Sequence, residues 1–254
     1  MKKFILILSI PLSIFITSCS DDSVTNEFED ANGQIKPKMI KSISTSSNDD
    51  ALENQSVEIF YDNNEKILSV REGSDVTTFV YDSDELSNIE GSGNGNINIE
   101  DLFESPYNAF ETGYVLLYDD NDNPIEIEFY EDEYDQDIQD WRTFVYTAEI
   151  SYDDAPNPYF FTLQAGGIIE VLDKVRLNFN MNPQVSEIVR ARALFPMNNV
   201  SKIDYKNEAG DLIYTITIDY NYDDDNYPIT GVAQRLSLED DELTTYNAIF
   251  DYLD

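Results

Sequence analysis

The sequence predicts an all-β protein: an antiparallel meander of about 11–13 strands, curled into a barrel-like or strongly bent sheet, with one or two short helices near residues 164–194. Three observations predict it. From Val57 onward apolar and polar residues alternate with period two, which puts alternate side chains on opposite faces of a pleated strand. Clusters of Asp, Asn, Ser and Gly separate these runs as turn signals. Strand after strand closes on Tyr-Asp before such a cluster. Sheets with one wet face are usually antiparallel.

The chain opens on a processing signal, read as residues 1–18. Lys2 and Lys3 form a positive start, and Phe4 to Ile16 is apolar apart from Ser9, Pro11 and Ser13. That stretch is too short to cross a hydrocarbon core of about 30 Å, which needs about 20 residues. Ile16-Thr17-Ser18-Cys19 follows and resembles a bacterial lipobox, in which small residues let the lipidating enzyme and its peptidase reach the cysteine. Cys19, the only cysteine, would then carry a diacylglycerol thioether and become the mature N-terminus. Several acyl chains at about 0.8 kcal/mol per buried CH₂ give firm anchoring. Ser20, Asp21 and Asp22 directly behind it resemble the signal that exports Bacteroidetes lipoproteins to the outer face of the outer membrane. Asp22-Ser23-Val24 resembles the short O-glycosylation site of the same bacteria, with Ser23 as acceptor.

Residues 19–55 read as the lipidated cysteine and an acidic, mostly disordered tether, rich in Ser, Asp, Asn and Thr. About 35 flexible residues span roughly 30–35 Å root-mean-square, enough to lift a domain clear of the headgroups. A short strand near Met39 to Ile43 is the one element considered there.

Residues 56–254 read as a single β domain. Leu212 to Tyr222 is its cleanest strand, with apolar or aromatic residues at every even position. Phe144, Tyr146, Ala148, Ile150 and Tyr152 share one face of another, and Tyr246, Ala248, Phe250 and Tyr252 share one face of the last. Turn signals stand at Asp62-Asn63-Asn64, Asp82-Ser83-Asp84, Asp119 to Asn123, Asn207 to Gly210 and Asp223 to Asn226. Tyr61-Asp62, Tyr81-Asp82, Tyr118-Asp119, Tyr152-Asp153 and Tyr222-Asp223 are the recurrent pairs. A tyrosine packs a strand end while its hydroxyl stays wet, and an aspartate at a turn start accepts bonds from backbone N–H groups two residues on.

Tyr-Asp followed by a turn and an apolar position is similar to the YD-type repeats of Rhs proteins. The stretch Tyr152-Asp153-Asp154-Ala155-Pro156-Asn157-Pro158-Tyr159, with Asn198-Asn199-Val200-Ser201-Lys202-Ile203 downstream, resembles uncharacterised Bacteroidetes outer-membrane lipoproteins. Some of those carry a domain of unknown function described as porin-like in fold, and the resemblance implies such a β fold here. That family has no assigned catalytic residues to carry over. The glycine that a tidy YD repeat places in its turn is present only at Gly210.

Composition bounds the function. The 254 residues hold 51 acidic and 15 basic side chains and no histidine, for a formal charge of −36. Loss of Lys2 and Lys3 with the leader makes it −38. Such a surface excludes nucleic acid, whose phosphates are bound by Lys and Arg, and peripheral docking on anionic lipid. The absence of histidine removes the usual general base and commonest metal ligand. No disulfide framework remains once Cys19 is lipidated. Asp119 to Asn123 begins like an EF-hand loop but has Pro124 where the sharp-turn glycine belongs and Tyr130 where the bidentate Glu belongs. No metal ligands, catalytic residues or cofactor are therefore expected. Six basic residues (Lys174, Arg176, Arg190, Arg192, Lys202, Lys206) fall between 170 and 206, read as a region with a helix packed over a barrel mouth or sheet edge, the alternative being a less acidic ligand-facing surface. Pro183 to Val189 and Ile168 to Val175 are the candidate helical turns. The expected protein is a non-catalytic, lipid-anchored binding or structural module of the outer membrane, facing the exterior, with outer-membrane lipid and an unidentified protein or glycan as partners. The alternatives are a glycan-capturing accessory lipoprotein that uses Trp141 and exposed tyrosines, and a carboxylate-dependent glycan hydrolase.

Overall fold

The structure, a computed structural model, describes residues 23–91, 114–135, 138–176, 192–238 and 240–253. Helix α1 (Val24–Asn32) leads into β1 (Ile40–Ser47) and, after a 3₁₀ turn at Ala51–Glu53, β2 (Gln55–Tyr61), β3 (Ile67–Glu72), β4 (Asp75–Asp82) and β5 (Glu85–Gly91). Then come β6 (Tyr114–Tyr118), β7 (Pro124–Asp135), β8 (Asp140–Pro156), α2 (Phe160–Ala165) and α3 (Ile168–Arg176). β9 (Asn198–Lys206), β10 (Leu212–Tyr222), β11 (Pro228–Ser237) and β12 (Glu242–Tyr252) complete the chain. The twelve described strands form one antiparallel sheet in the order β5-β4-β3-β2-β1-β12-β11-β10-β9-β8-β7-β6. This is the predicted meander. Among the described residues it is not closed: β1 and β12 pair in its middle, and β5 and β6 are its edges.

Opposite partners in an antiparallel pair share a face, so the register assigns an inside and an outside. On one face Phe129 opposes Tyr146, Ala148 opposes Tyr205, and Ile203 lies between Ile150 and Ile216. On the other, Glu149 opposes both Glu126 and Asp204, and Lys202 opposes Thr217. The apolar face is buried and the charged face is wet. A transmembrane barrel has the reverse polarity, apolar towards lipid, and pays about 2–4 kcal/mol for an outward Lys or Arg at mid-membrane. The outer face of this sheet therefore belongs in water.

The helices lie on the apolar face at one end and reveal the curl. Asn157 donates from its backbone N–H to the Met197 carbonyl at 3.0 Å, tying the start of the helical segment to the β8–β9 side. Nine residues later, a Cβ on Gly166 would meet Ile67 Cδ1 at 3.1 Å and Phe79 Cε1 at 3.2 Å, on β3 and β4. Between them Thr162 Oγ1 accepts from the Ile40 N–H of β1 at 2.8 Å. β4 and β8 lie eight strand steps apart, roughly 38 Å in a flat sheet at about 4.8 Å per step. A helix of six residues, about 9 Å long, reaches both only because the sheet wraps around it. Phe28, Ile67, Phe79, Phe160, Ile168, Leu172 and Phe195 form the core at this end. A second cluster, centred on Ile127, Ala148, Ile203 and Ile216, lies along β7 to β10.

Four hairpins repeat one turn, built on Asp62, Asp119, Asn207 and Asp223. In each, the side-chain Oδ1 of that residue accepts the backbone N–H groups two and four residues on, at 2.7–3.0 Å. Its own N–H reaches the carbonyl four residues ahead. The fourth position needs positive φ, and Glu65, Asp122 and Asn226 adopt 64°, 61° and 67° there, while Gly210 adopts 81°. A non-glycine residue is strained there by roughly 1–2 kcal/mol. Glu65→Gly is accordingly expected to raise stability by up to about 1 kcal/mol, after the extra freedom it gives the unfolded chain is subtracted; urea unfolding would measure it.

The tyrosines contradict one expectation. Their hydroxyls are not left to water. Tyr61, Tyr81, Tyr152 and Tyr252 donate to the carbonyls of Ile40, Ile67, Pro124 and Pro228 at 2.6–2.8 Å, each the first residue of the neighbouring strand. Burial pushes the Tyr61 and Tyr81 hydroxyls up to about 12.

The carboxylates of these turns set the acid limit. Asp62 is held below its ordinary value chiefly by the Lys66 backbone N–H. Asp223 is also lowered: desolvation, its largest single influence, raises it, but hydrogen bonds from Lys38, Tyr227 and Asp225 outweigh that. A carboxylate with a depressed folded pKa contributes stability that is complete above its unfolded value, near 3.9, and lost as pH falls through the folded one. Stability should therefore fall mainly below pH 4. Asp62→Asn, which keeps the Oδ1 acceptor, should make the decline between pH 4 and 2 shallower in urea titrations.

One expectation needs correction here. The segment read as a mostly disordered tether carries α1, and the strand considered near Met39 to Ile43 is present as β1, which pairs with both β2 and β12 in the middle of the sheet. The physical reason is that Ile40 and Ile43 need only partners on the apolar face, and serine-rich neighbours suit its wet face. The short helices expected near 164–194 are present as α2 and α3, with a further helical turn at 192–194, and Pro183 to Val189 lies outside the described residues.

Candidate functional site

Cys19, Ser20, Asp21 and Asp22 lie outside the described residues. Ser23 is the first residue beyond them. It is the N-cap of α1, its Oγ accepting the Asn26 N–H at 3.2 Å, which satisfies one of the donors a helix start leaves free.

From that cap α1 is bound across the helical end of the sheet. The Val24 N–H donates to Asp173 Oδ1 on α3 at 2.6 Å. Glu27 forms an ion pair with Arg192, both nearly buried. Burial lowers the Arg192 pKa, against the nearby Asp173 carboxylate, which raises it. The Phe28 ring stacks on Phe160 at 3.7 Å between centroids, with Phe161 edge-on at 5.6 Å. Asn32 closes the helix onto β9: its Nδ2 donates to the Met197 carbonyl, and its Oδ1 accepts from Asn198, each at 3.0 Å. None of these partners is near in sequence, so the segment's composition alone gave no sign of them.

Beside α2 and α3 is a cavity of about 440 Å³. Met39, Tyr81, Leu86 and Phe161 provide apolar walls, and Glu65, Lys66, Asp84, Glu85 and Glu170 its charges. Lys66 Nζ is already engaged by the Asp84 carboxylate at 3.0 Å and carbonyl at 2.8 Å, and sits 5.1 Å from the Tyr81 ring centre.

The opposite end of the sheet carries a projecting arm. β7 and β8 remain paired from Glu126–Glu149 to Asp135–Asp140, whereas the β8–β9 ladder stops at Thr147–Lys206. Six residues beyond Thr147, roughly 20 Å along the strand, Trp141 opposes Tyr134. They are 67% and 45% exposed, and their rings meet edge to face at 6.1 Å and 80°. They present no coplanar two-ring platform. The base of the arm is braced by Glu208, which pairs with Arg142 and accepts the Val145 N–H.

Three basic residues of the 170–206 region are engaged with acids: Arg192 with Glu27, Lys202 with Asp204, Lys206 with Glu149. In the acidic turn Asp119 to Asn123, the Asp119 carboxylate accepts the backbone N–H groups of Asn121 and Asn123 and the Asn123 Nδ2. Among the described residues no group of three or more Cys, Asp or Glu is placed to hold a metal, and no helix is long and apolar enough to cross a membrane.

No protein-family model matches the chain, and no curated protein matches it. Two solved structures are similar over most of its length. A porin-like protein from Bacteroides uniformis ATCC 8492 has 9% identity and a TM-score of 0.36, covering 87% of this chain and 99% of that one. A porin-like protein from Bacteroides vulgatus ATCC 8482 has 11% identity and a TM-score of 0.31, covering 85% and 99%. The functional argument therefore rests on this chain's own residues.

Proposed function

We propose that this protein is a non-catalytic lipoprotein of the outer membrane, anchored through acylated Cys19, exported to the cell exterior by Ser20, Asp21 and Asp22, and acting as a binding or structural module. The observation that carries the reading is the polarity of the sheet. Its outer face is charged and its apolar face is occupied by core and helices, so lipid contact falls to the N-terminal cysteine. Palmitate labelling and the mass of the N-terminal peptide test the anchor: Cys19→Ser should abolish both signals and release the protein from membranes. Protease added to intact cells tests the side. Loss of a C-terminal tag with a periplasmic marker spared supports export, and protection overturns it.

Glycan capture is the second reading, favoured by the exposure of Trp141 and Tyr134 on the arm. Trp141→Ala should then remove binding on a glycan array while leaving the unfolding midpoint within about 0.5 kcal/mol of the parent, as for other exposed positions.

A further inference from the structure

We infer that the end of the sheet covered by α1, α2 and α3 lies directly against the membrane, and that the β7–β8 arm points away from it. The inference rests on the proposed anchor at Cys19. Only four chain steps separate Cys19 from Ser23, which already caps a bound helix. Fully extended, they reach about 14 Å at about 3.3–3.6 Å per residue. A flexible tether of about 35 residues would have placed the same domain roughly 30–35 Å away.

Four contacts show that α1 belongs to the domain rather than to the linker. Its first N–H is bound by Asp173, its middle is pinned by the Glu27–Arg192 pair and the Phe28–Phe160 stack, and its last residue is bonded to β9. Val24 and Phe28 are buried. The lipid is thus joined by a short leash to a rigid point on the helical end. The partner is a lipid surface, contacted because of the anchor and not through charge, since the domain is acidic.

The far end follows from strand length. β8 runs 17 residues from Asp140 to Pro156, up to about 50 Å at about 3.3 Å per residue. Its Pro156 end adjoins the helices and its Asp140 end carries the arm. Trp141 and Tyr134 are then held out from the membrane, towards whatever the module meets.

The test uses the full lipidated protein in phosphatidylethanolamine–phosphatidylglycerol vesicles containing a headgroup-linked acceptor dye. Its Cys19 thiol is consumed by the thioether, so a cysteine introduced elsewhere is the group that takes a donor label. Asp120→Cys marks the helical end, in the β6–β7 turn, and Ser74→Cys marks the opposite end, in the β3–β4 turn; both positions are exposed. Energy transfer should be at least twofold stronger from position 120 than from position 74. Equal transfer, or weak transfer from both, overturns the inference. Flotation separates the two failures: protein that floats with the vesicles but gives equal transfer leaves the anchor standing and refutes the orientation. Protein that does not float refutes the anchor, and the orientation with it.

Discussion

Asn123→Ala is expected to lower the unfolding free energy by about 3–5 kcal/mol. Asn123 is 1% exposed and sits in the loop between β6 and β7. Its Oδ1 accepts the backbone N–H groups of Met197 and Asn198 at 2.7 and 3.0 Å. Its Nδ2 donates to Asp119 Oδ2 at 3.0 Å and Asn198 Oδ1 at 2.9 Å. Alanine leaves two buried backbone donors without acceptors, and each costs about 1–3 kcal/mol. The loss is larger than the mean value of a hydrogen bond because both donors are buried. It should also propagate, since Asn198 bonds in turn to Asn32 of α1 and to the Ala155 carbonyl. Urea unfolding at pH 7 measures the effect. A change under about 1 kcal/mol would mean that this network does not hold β9 to the β6–β7 turn.

The second large effect belongs to Phe28. Its ring is 1% exposed and lies face to face with Phe160. Truncation of a buried phenylalanine costs about 3–5 kcal/mol, through lost transfer energy and the cavity left behind. Here the loss is localised. α1 is joined to the rest of the core by one face, so Phe28→Ala should release residues 24–32 before the sheet unfolds. Hydrogen exchange followed by mass spectrometry should show lost protection over α1 with β9 to β12 retained. Unchanged protection of α1 would mean that the Glu27–Arg192 pair and Asp173 suffice to hold it. In the vesicle experiment the same variant should weaken energy transfer from position 120, because a released α1 lengthens the leash.

Much of the fold was legible because a β-strand writes its burial into alternate residues. Leu212 to Tyr222 and Glu242 to Tyr252 appear as strands where the alternation is clean. The Tyr-Asp pairs marked turns correctly at Asp62, Asp119 and Asp223 because the capping aspartate binds N–H groups only two and four residues away. β1 was harder to read. Serine and threonine dominate it, and its pairing with β12 joins residues about 200 positions apart.

The candidate site was less legible for the same reason. The proposed lipid attachment sequence is local, and Cys19 with its neighbours can be read without any fold. The bound state of α1 depends on Asp173, Arg192, Phe160 and Asn198, all distant in sequence. Nothing in Ser20 to Gln55 distinguishes a helix that will find such partners from a tether that will not.

The sequence by itself determined the strand periods, the turn chemistry and the outward charge, since each depends on residues a few positions apart or on composition alone. The tertiary structure decided that β1 and β12 pair in the middle of the sheet, that the tyrosine hydroxyls bind neighbouring strands, and that α1 closes one end. Those outcomes depend on contacts between strands and helices far apart along the chain, whose combined free energy no local pattern contains.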